Sequence, residues 1–388
     1  MTVRVVHVIA SLGLGGAETA LFRLLAGTDP GEFPSAVITL LPRSETDQRV
    51  GDLGVEVVNL NGARGRIPGL PVWRALAHHV RRLQPDVLQG WMYHGNVAAS
   101  YGHLVAARRS CVVWNIRHSL HAFALETRIT RQTIRFNALL SRAPDRIVYN
   151  SWISRRQHES RGFAAGRACV IPNGFDTRHL APRAGVGGAF RAELGLAADA
   201  RVVSYIARLH PGKGHVHLLD AARRMTVDFP DLQVLLVGPE DRLGRRDLEA
   251  MIAERGLQEH VRYLGTRHDV ERVYAASNVF CSPSLGEGFP NVVGEAMACG
   301  VPCVVTDVGD CARIVGDTGI VVATADPAAL AAGLAAVLGA TAGARDELGR
   351  RARERVVNEY GIDRVVREYA DLYRRFARPT RTMSEERG

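Results

Sequence analysis

Lysine is almost absent from this chain. Of its 49 basic residues one, Lys213, is lysine and the rest are arginine. A composition rich in arginine and alanine reflects a coding bias, so the single retained lysine is informative. An ammonium is a compact point charge on a flexible stem, whereas a guanidinium is a rigid planar fork. The six cysteines (Cys111, Cys169, Cys281, Cys299, Cys303 and Cys311) form no C-x-x-C pair, which argues against a zinc ribbon or a disulfide framework. Scattered in apolar contexts, they read as packed thiols. No apolar run reaches the roughly 18–20 residues of a spanning helix. The opening stretch MTVRVVHVIASLGLGGAE runs into glycines and an acid without a small-residue cleavage pattern, and reads as strand, loop and helix rather than a signal segment. No D-x-D and no His/Cys cluster offers a seat for a metal ion. The expectation is a soluble, cytoplasmic protein that works without a metal.

What is present is uneven charge and a regular rhythm. Residues 1–180 hold 22 arginines against 12 acids, and residues 181–388 hold 27 basic residues against 28 acids. All of the net charge of +9 therefore lies in the first half. A basic surface of this kind attracts anionic lipid or a phosphorylated acceptor. With no zinc-finger or RNP-like pattern, no nucleic-acid partner is expected. Runs such as VRVVHVIA, SAVITLL, CVVWNI, RVVSYIA, LQVLLVG and PCVVT alternate with helical-length segments at 17–26, 72–83, 96–108, 123–142 and 151–161. Strands alternating with helices of this length imply parallel sheets covered on both faces. The fold class expected is α/β, with two Rossmann-like doubly wound domains facing across a cleft. Pro and Gly cluster in APRAGVGGA, which places the domains at 1–180 and 189–365. A last helix near 361–378 crosses back to the first domain, and 366–388 forms that helix and a polar tail, RPTRTMSEERG, expected to be disordered.

Three stretches carry chemistry, each just after a strand, where ligands bind in such sheets. SLGLGGAE, Ser11 to Glu18, places Gly15 and Gly16 at a helix start, where backbone amides can approach an anion. Its spacing is not the dinucleotide fingerprint G-x-G-x-x-G. In YIARLHPGKGHVH, Arg208 and Lys213 put two cations on one post-strand loop, a pattern suited to a diphosphate. SLGEGFPNVVGEAMACGVP, residues 284–302, sets Glu287 before a helix and Glu295 one turn inside it. Carboxylates at an anion-binding helix end repel phosphate, so their natural partners are sugar and ribose hydroxyls.

Together these stretches resemble the family-4 retaining glycosyltransferases of the two-Rossmann GT-B fold, from Val3 to about Tyr373. The strongest match is E-x7-E, met by Glu287 and Glu295. The resemblance implies that Glu287 contacts the donor sugar, Glu295 the nucleotide ribose, and Arg208 and Lys213 the diphosphate. It implies that Gly15 and Gly16 close over the donor, and that His118 of WNIRHS lies near sugar and phosphate. Phe289, Pro290, Asn291, Val292 and Arg267 are further substrate-binding candidates. WMYHGN and WNIRHS resemble a branch acting on polysaccharides and glycolipids, with UDP-hexose or UDP-N-acetylhexosamine donors. The implied partners are a nucleotide-sugar donor, with no other cofactor, and a glycan or lipid-linked acceptor. A sugar-nucleotide epimerase and a non-catalytic sugar-nucleotide-binding protein are the alternative readings of the same scaffold.

Segment 123–142 reads as one helix. At 100° per residue Leu125, Ile129, Phe136, Leu139 and Leu140 share a stripe, with Arg128, Arg131, Arg135 and Arg142 beside it. Two readings follow: the stripe packs on the sheet and the arginines are solvated, or the arginines face an anionic membrane at the inner face of the cell or a phosphorylated acceptor.

Overall fold

The computed structural model describes residues 2–376 apart from 14, 45, 67, 107–109 and 122. Seven parallel strands form the first sheet: β1 (Val5–Ile9), β2 (Ser35–Thr39), β3 (Glu56–Asn59), β4 (Val87–Trp91), β5 (Cys111–Ile116), β6 (Arg146–Tyr149) and β7 (Ala168–Val170). Their order is β3-β2-β1-β4-β5-β6-β7. Six parallel strands form the second: β8 (Arg201–Ile206), β9 (Leu232–Val237), β10 (Val261–Tyr263), β11 (Val279–Ser282), β12 (Cys303–Thr306) and β13 (Gly319–Val322). Their order is β10-β9-β8-β11-β12-β13. Every residue of β1, β4, β5, β11 and β12 is buried, as expected when helices cover both faces of a parallel sheet. Both orders reverse beside their first strand, the doubly wound pattern in which ligands bind at the reversal.

One compact unit comprises the residues up to Gly174 together with helix Ile362–Phe376; the other is Phe175–Gly361. This differs from a boundary at 180–189 and a separate segment from 366. The Pro/Gly cluster lies inside the second unit. There Gly185, with φ 76°, starts helix Val186–Glu193, and Arg353 donates to the carbonyls of Thr177 and Leu180 at 3.0 and 2.9 Å. Helix Ile362–Phe376 is held to the first unit by two buried tyrosines. The Tyr369 hydroxyl accepts from Asn115 Nδ2 at 2.7 Å and from Arg117 Nη2 at 2.9 Å, and the Tyr373 hydroxyl donates to Gln89. The tail RPTRTMSEERG lies outside the described residues.

Five of the six cysteines are buried, Cys169 is half-buried, and all are free thiols. Among the described residues, no single helix is long and apolar enough to cross a membrane.

Two local departures have physical causes. The helix expected at 96–108 is Met92–Ala106 and begins directly at the end of β4, with Met92 at φ 60°. Two glycines permit this elbow. A Cβ on Gly95 would lie 2.3 Å from the Val8 carbonyl oxygen, and one on Gly90 would lie 2.6 Å from the Gly95 carbonyl oxygen. Segment 123–142 is broken into a single turn, Phe123–Leu125, and helix Arg128–Leu140, whose N-terminus Thr127 caps. Of its apolar stripe, Leu140 is half-buried and packs on the core beside β5 and β6, but three other members do not. Ile129, Phe136 and Leu139 are exposed, while Ile134 and Asn137 are buried. The Asn137 side chain supports this rotation by donating to the Tyr93 carbonyl at 3.2 Å, and it also donates to the Thr133 carbonyl of its own helix at 2.8 Å. The side chain of Leu125 lies outside what is described.

Gly95→Ala should destabilise the first unit by about 2 kcal/mol, the scale of overpacking against fixed backbone. Gly166→Ala, where a Cβ meets nothing within 4 Å, should leave it unchanged. All four tryptophans (Trp73, Trp91, Trp114 and Trp152) lie in this unit, so urea unfolding followed by tryptophan fluorescence reads it directly. Equal midpoints for both variants would contradict the close approach of helix and strand.

Candidate functional site

In the second sheet the order reverses between β8 and β11, and the loops leaving these two strands form a pocket of about 290 Å³. Seven residues singled out in the sequence line it: Arg208, Lys213, Glu287, Phe289, Pro290, Asn291 and Val292. Tyr205, Ile206 and Ala207 complete the wall. At its centre Lys213 Nζ donates to Glu287 Oε1 at 2.5 Å, and Ser284 Oγ donates to the same oxygen at 2.7 Å. The two charged side chains are only 22% and 12% exposed.

Backbone geometry brings these groups together. After β8 the chain makes one turn, Pro211–Lys213, with the Gly212 amide donating to His210 Nδ1 at 3.0 Å. Gly214 then adopts φ 69°, and a Cβ there would lie 2.0 Å from the Pro283 carbonyl oxygen. Only glycine lets the two loops meet so closely. The Tyr205 hydroxyl donates to the Lys213 carbonyl at 2.7 Å. Burial, reinforced by the Glu287 charge, pushes the Tyr205 phenol well above its ordinary value, so it stays a donor. From the β12 side, the Thr306 hydroxyl donates to the Ser284 carbonyl at 2.6 Å and the Asp310 amide to the Gly288 carbonyl at 3.0 Å. Gly309, at φ 60°, allows that contact, since a Cβ would lie 2.7 Å from the Glu287 carbonyl oxygen.

The other expected residues are placed differently. Arg208 lines the pocket, but its guanidinium is 58% exposed and pairs with Asp241 at 3.0 Å. Glu295 lies one turn into helix Asn291–Ala298, half-buried, with the Tyr274 hydroxyl donating to it at 3.4 Å; it is not part of the pocket wall. Arg267 is also outside the wall. It forks onto Asp269 through Nε and Nη2 at 2.9 and 2.7 Å and lies over the Phe190 ring, so these two donors are engaged within its own loop.

In the first unit, Gly15 and Gly16 begin helix Gly16–Gly27 as expected, but a carboxylate already covers that helix end. A Cβ on Gly15 would lie 2.3 Å from Glu18 Oε2, whereas one on Gly16 meets nothing within 4 Å. Burial raises the Glu18 carboxyl above its ordinary value, opposed in part by a hydrogen bond from its own backbone amide. His118 Nε2 is 2.9 Å from Glu126 Oε1, and its carbonyl accepts from Ser154 Oγ at 2.5 Å. His121 instead contacts Ser119 Oγ at 2.8 Å, which separates the two neighbouring histidines. Among the described residues, no group of three or more His, Cys, Asp or Glu side chains is placed to hold a metal ion.

Sequence reasoning gave no role to Ser284, Tyr205, Glu18 or Glu126. Ser284, Glu18 and Tyr205 stand inside the quoted motifs, and for the first two the short spacing to Glu287 and Gly15 is the available signal. Tyr205 and Glu126 reach their partners only through the fold.

His215 follows the Lys213 loop, is buried, and has its pKa lowered to about 4, by burial first and by Lys213 second. Its ring stays neutral in the folded protein while the unfolded chain takes a proton below about pH 6.5. This part of the stability is therefore complete above pH 6.5 and is lost as pH falls toward 4, by about 2 kcal/mol at pH 5. His215→Leu should lose less stability than the parent between pH 7.5 and pH 5 in denaturant unfolding followed by far-UV circular dichroism. Identical slopes would contradict the buried, neutral ring.

Comparison with known proteins places both units among glycosyltransferases. The family described as Glycosyltransferase Family 4 matches residues 14–179, and that described as Glycosyl transferases group 1 matches residues 200–340. The chain is similar to the protein of Bacillus subtilis (strain 168) that carries the glycosyltransferase name EpsF, 26% identical over 313 residues, covering 78% of this chain and 79% of the other. It is 37% identical over 231 residues to a D-inositol 3-phosphate glycosyltransferase of Geodermatophilus obscurus, covering 55% of this chain and 51% of that relative, so the match spans about half of its length. The solved structure of Anabaena HepE in complex with UDP superposes with a TM-score of 0.83 at 22% identity, covering 96% of this chain and all of the other. With two parallel Rossmann-like sheets, a cation–carboxylate pocket at the reversal of the second, and family matches over most of both units, the chain belongs to the family-4, group 1 glycosyltransferases of the GT-B fold.

Proposed function

We propose that the protein is a retaining, metal-independent hexosyltransferase. It moves a hexose or N-acetylhexosamine from a UDP-sugar to a hydroxyl of a glycan, glycolipid or related acceptor. The observation that carries this reading is the Lys213–Glu287–Ser284 cluster in the pocket beside Arg208. The UDP choice draws on Anabaena HepE, solved with UDP and with UDP-glucose. The acceptor class draws on the basic first half and on a relative whose name carries a phosphorylated inositol.

In this mechanism the diphosphate enters beside Lys213 and Arg208. Lys213 then shares its ammonium between phosphate oxygen and Glu287. Glu287, still held by Ser284, accepts from a donor-sugar hydroxyl, and Glu295 accepts from the ribose. As the anomeric C–O bond breaks, its electron pair passes to the β-phosphate oxygen, where negative charge grows. A pre-placed ammonium favours that state over the ground state. The acceptor hydroxyl attacks from the same face, and its proton passes to the departing phosphate. Phe289, Pro290, Asn291 and Val292 shape the donor pocket.

Lys213→Ala and Arg208→Ala should each lower kcat by about 10²-fold at saturating UDP-sugar, measured as UDP release, and EDTA should leave the parent rate unchanged. Near-parent kcat in both variants, or activity restored only by added Mg²⁺ or Mn²⁺, would overturn the assignment.

The two acids should separate by role. In calorimetric titration with UDP, Glu295→Ala should weaken binding while Glu287→Ala leaves it near the parent value yet loses transfer. Equal losses of UDP affinity would contradict the division.

A further inference from the structure

We infer that the exposed face of helix Arg128–Leu140 seats on an anionic lipid bilayer. This goes beyond the donor chemistry and is independent of it. Burial of Ile134 and Asn137 fixes which way the helix faces. Ile129, Phe136 and Leu139 are left 55%, 48% and 80% exposed. At 100° per residue these three span an arc of about 80°, and Arg128 and Arg135 lie along its edge. Both arginines are exposed, as is Arg142 just past the helix end. Arg131 is half-buried on the far side of that basic edge.

Charge decides the occupant. The helix RITRQTIRFNALL contains no acid, and Arg128, Arg131, Arg135 and Arg142 make no ion pair among the described residues. Elsewhere some exposed arginines are paired, as in Arg350 with Glu347 and Glu354 and Arg374 with Glu32, while others such as Arg64, Arg66, Arg223 and Arg224 make no ion pair among the described residues. The nearest preceding acid, Glu126, is engaged by His118. A second copy of the chain would set like charges against each other, so self-association through this face is disfavoured. A row of bulky apolar side chains edged by unpaired arginines matches a surface that is anionic outside and apolar just beneath, as in the headgroup layer of an acidic bilayer. Beyond Arg128, Arg131, Arg135 and Arg142, the first 180 residues hold 18 further arginines against 12 acids.

The test is sedimentation of the full-length protein with vesicles. It should bind phosphatidylcholine vesicles containing phosphatidylglycerol, bind pure phosphatidylcholine at least tenfold more weakly, and release from the acidic vesicles as salt rises to about 0.5 M. Replacing Arg128, Arg135 and Arg142 together by Gln should lower affinity by about 100-fold, at roughly fivefold per charge. Leu139→Glu should lower it by about tenfold or more. Both variants change exposed residues of the first unit, none of which lines the donor pocket, so UDP-sugar hydrolysis and circular dichroism should stay at parent values. A failure here is thereby separated from a failure of the donor assignment. Equal binding to both vesicle types, no binding, or unaltered binding by both variants would overturn the inference. So would a concentration-dependent dimer abolished by Leu139→Glu, which would assign the face to self-association.

Discussion

The pairing of Lys213 with Glu287 is the contact around which the second unit is arranged. A lysine and a glutamate that are mostly shielded from water need each other, because removing either leaves an uncompensated charge. The surroundings keep the pair in place. Ser284 fixes the carboxylate, Tyr205 fixes the lysine backbone, and the chain after β12 supports the Glu287 loop from behind. Such a cluster is preorganised: its dipoles and charges are oriented before a ligand arrives, and little reorganisation remains when charge develops on a leaving group.

Strand order explains why that cluster forms where it does. β8 and β11 are sheet neighbours separated by more than 70 residues, and their outgoing loops open in opposite senses at the reversal. Gly214 and Gly309 then remove the side-chain bulk that would hold the loops apart. In the first sheet the equivalent reversal lies between β1 and β4, where the glycine loop and the Met92 elbow emerge. There the helix end beside Gly15 is covered by Glu18, so the two reversals carry different chemistry: a cation with its carboxylate in one, a half-buried acid in the other.

Much of this was legible before any coordinates. β-Branched runs such as VVHVI and CVVWNI are short, buried on both faces and bounded by turn residues, so they announce parallel strands without further information. The E-x7-E spacing places Glu287 and Glu295 about a helix start by local geometry alone. Pairings set by tertiary distance were not legible. Arg208 with Asp241, His118 with Glu126, and Lys213 with Glu287 depend on how loops approach one another. Arg267 forms its fork with Asp269 two residues on, yet nothing in the spacing distinguishes that from an arginine aimed at a ligand. Helix Arg128–Leu140 shows the limit of periodicity most clearly. Ile129, Phe136 and Leu139 face water, while Ile134 and Asn137 are buried and Asn137 donates to the Tyr93 carbonyl.

The central claim is that this pocket holds a sugar nucleotide while the anomeric bond is broken and remade on the same face. Proton NMR of a UDP-α-hexose incubated with the protein, with water as the acceptor, tests it most directly. The account predicts UDP and a first-formed hexose whose anomeric coupling is that of the α form, seen before mutarotation equilibrates it. A first-formed β anomer, or a new sugar nucleotide appearing without UDP, would contradict it.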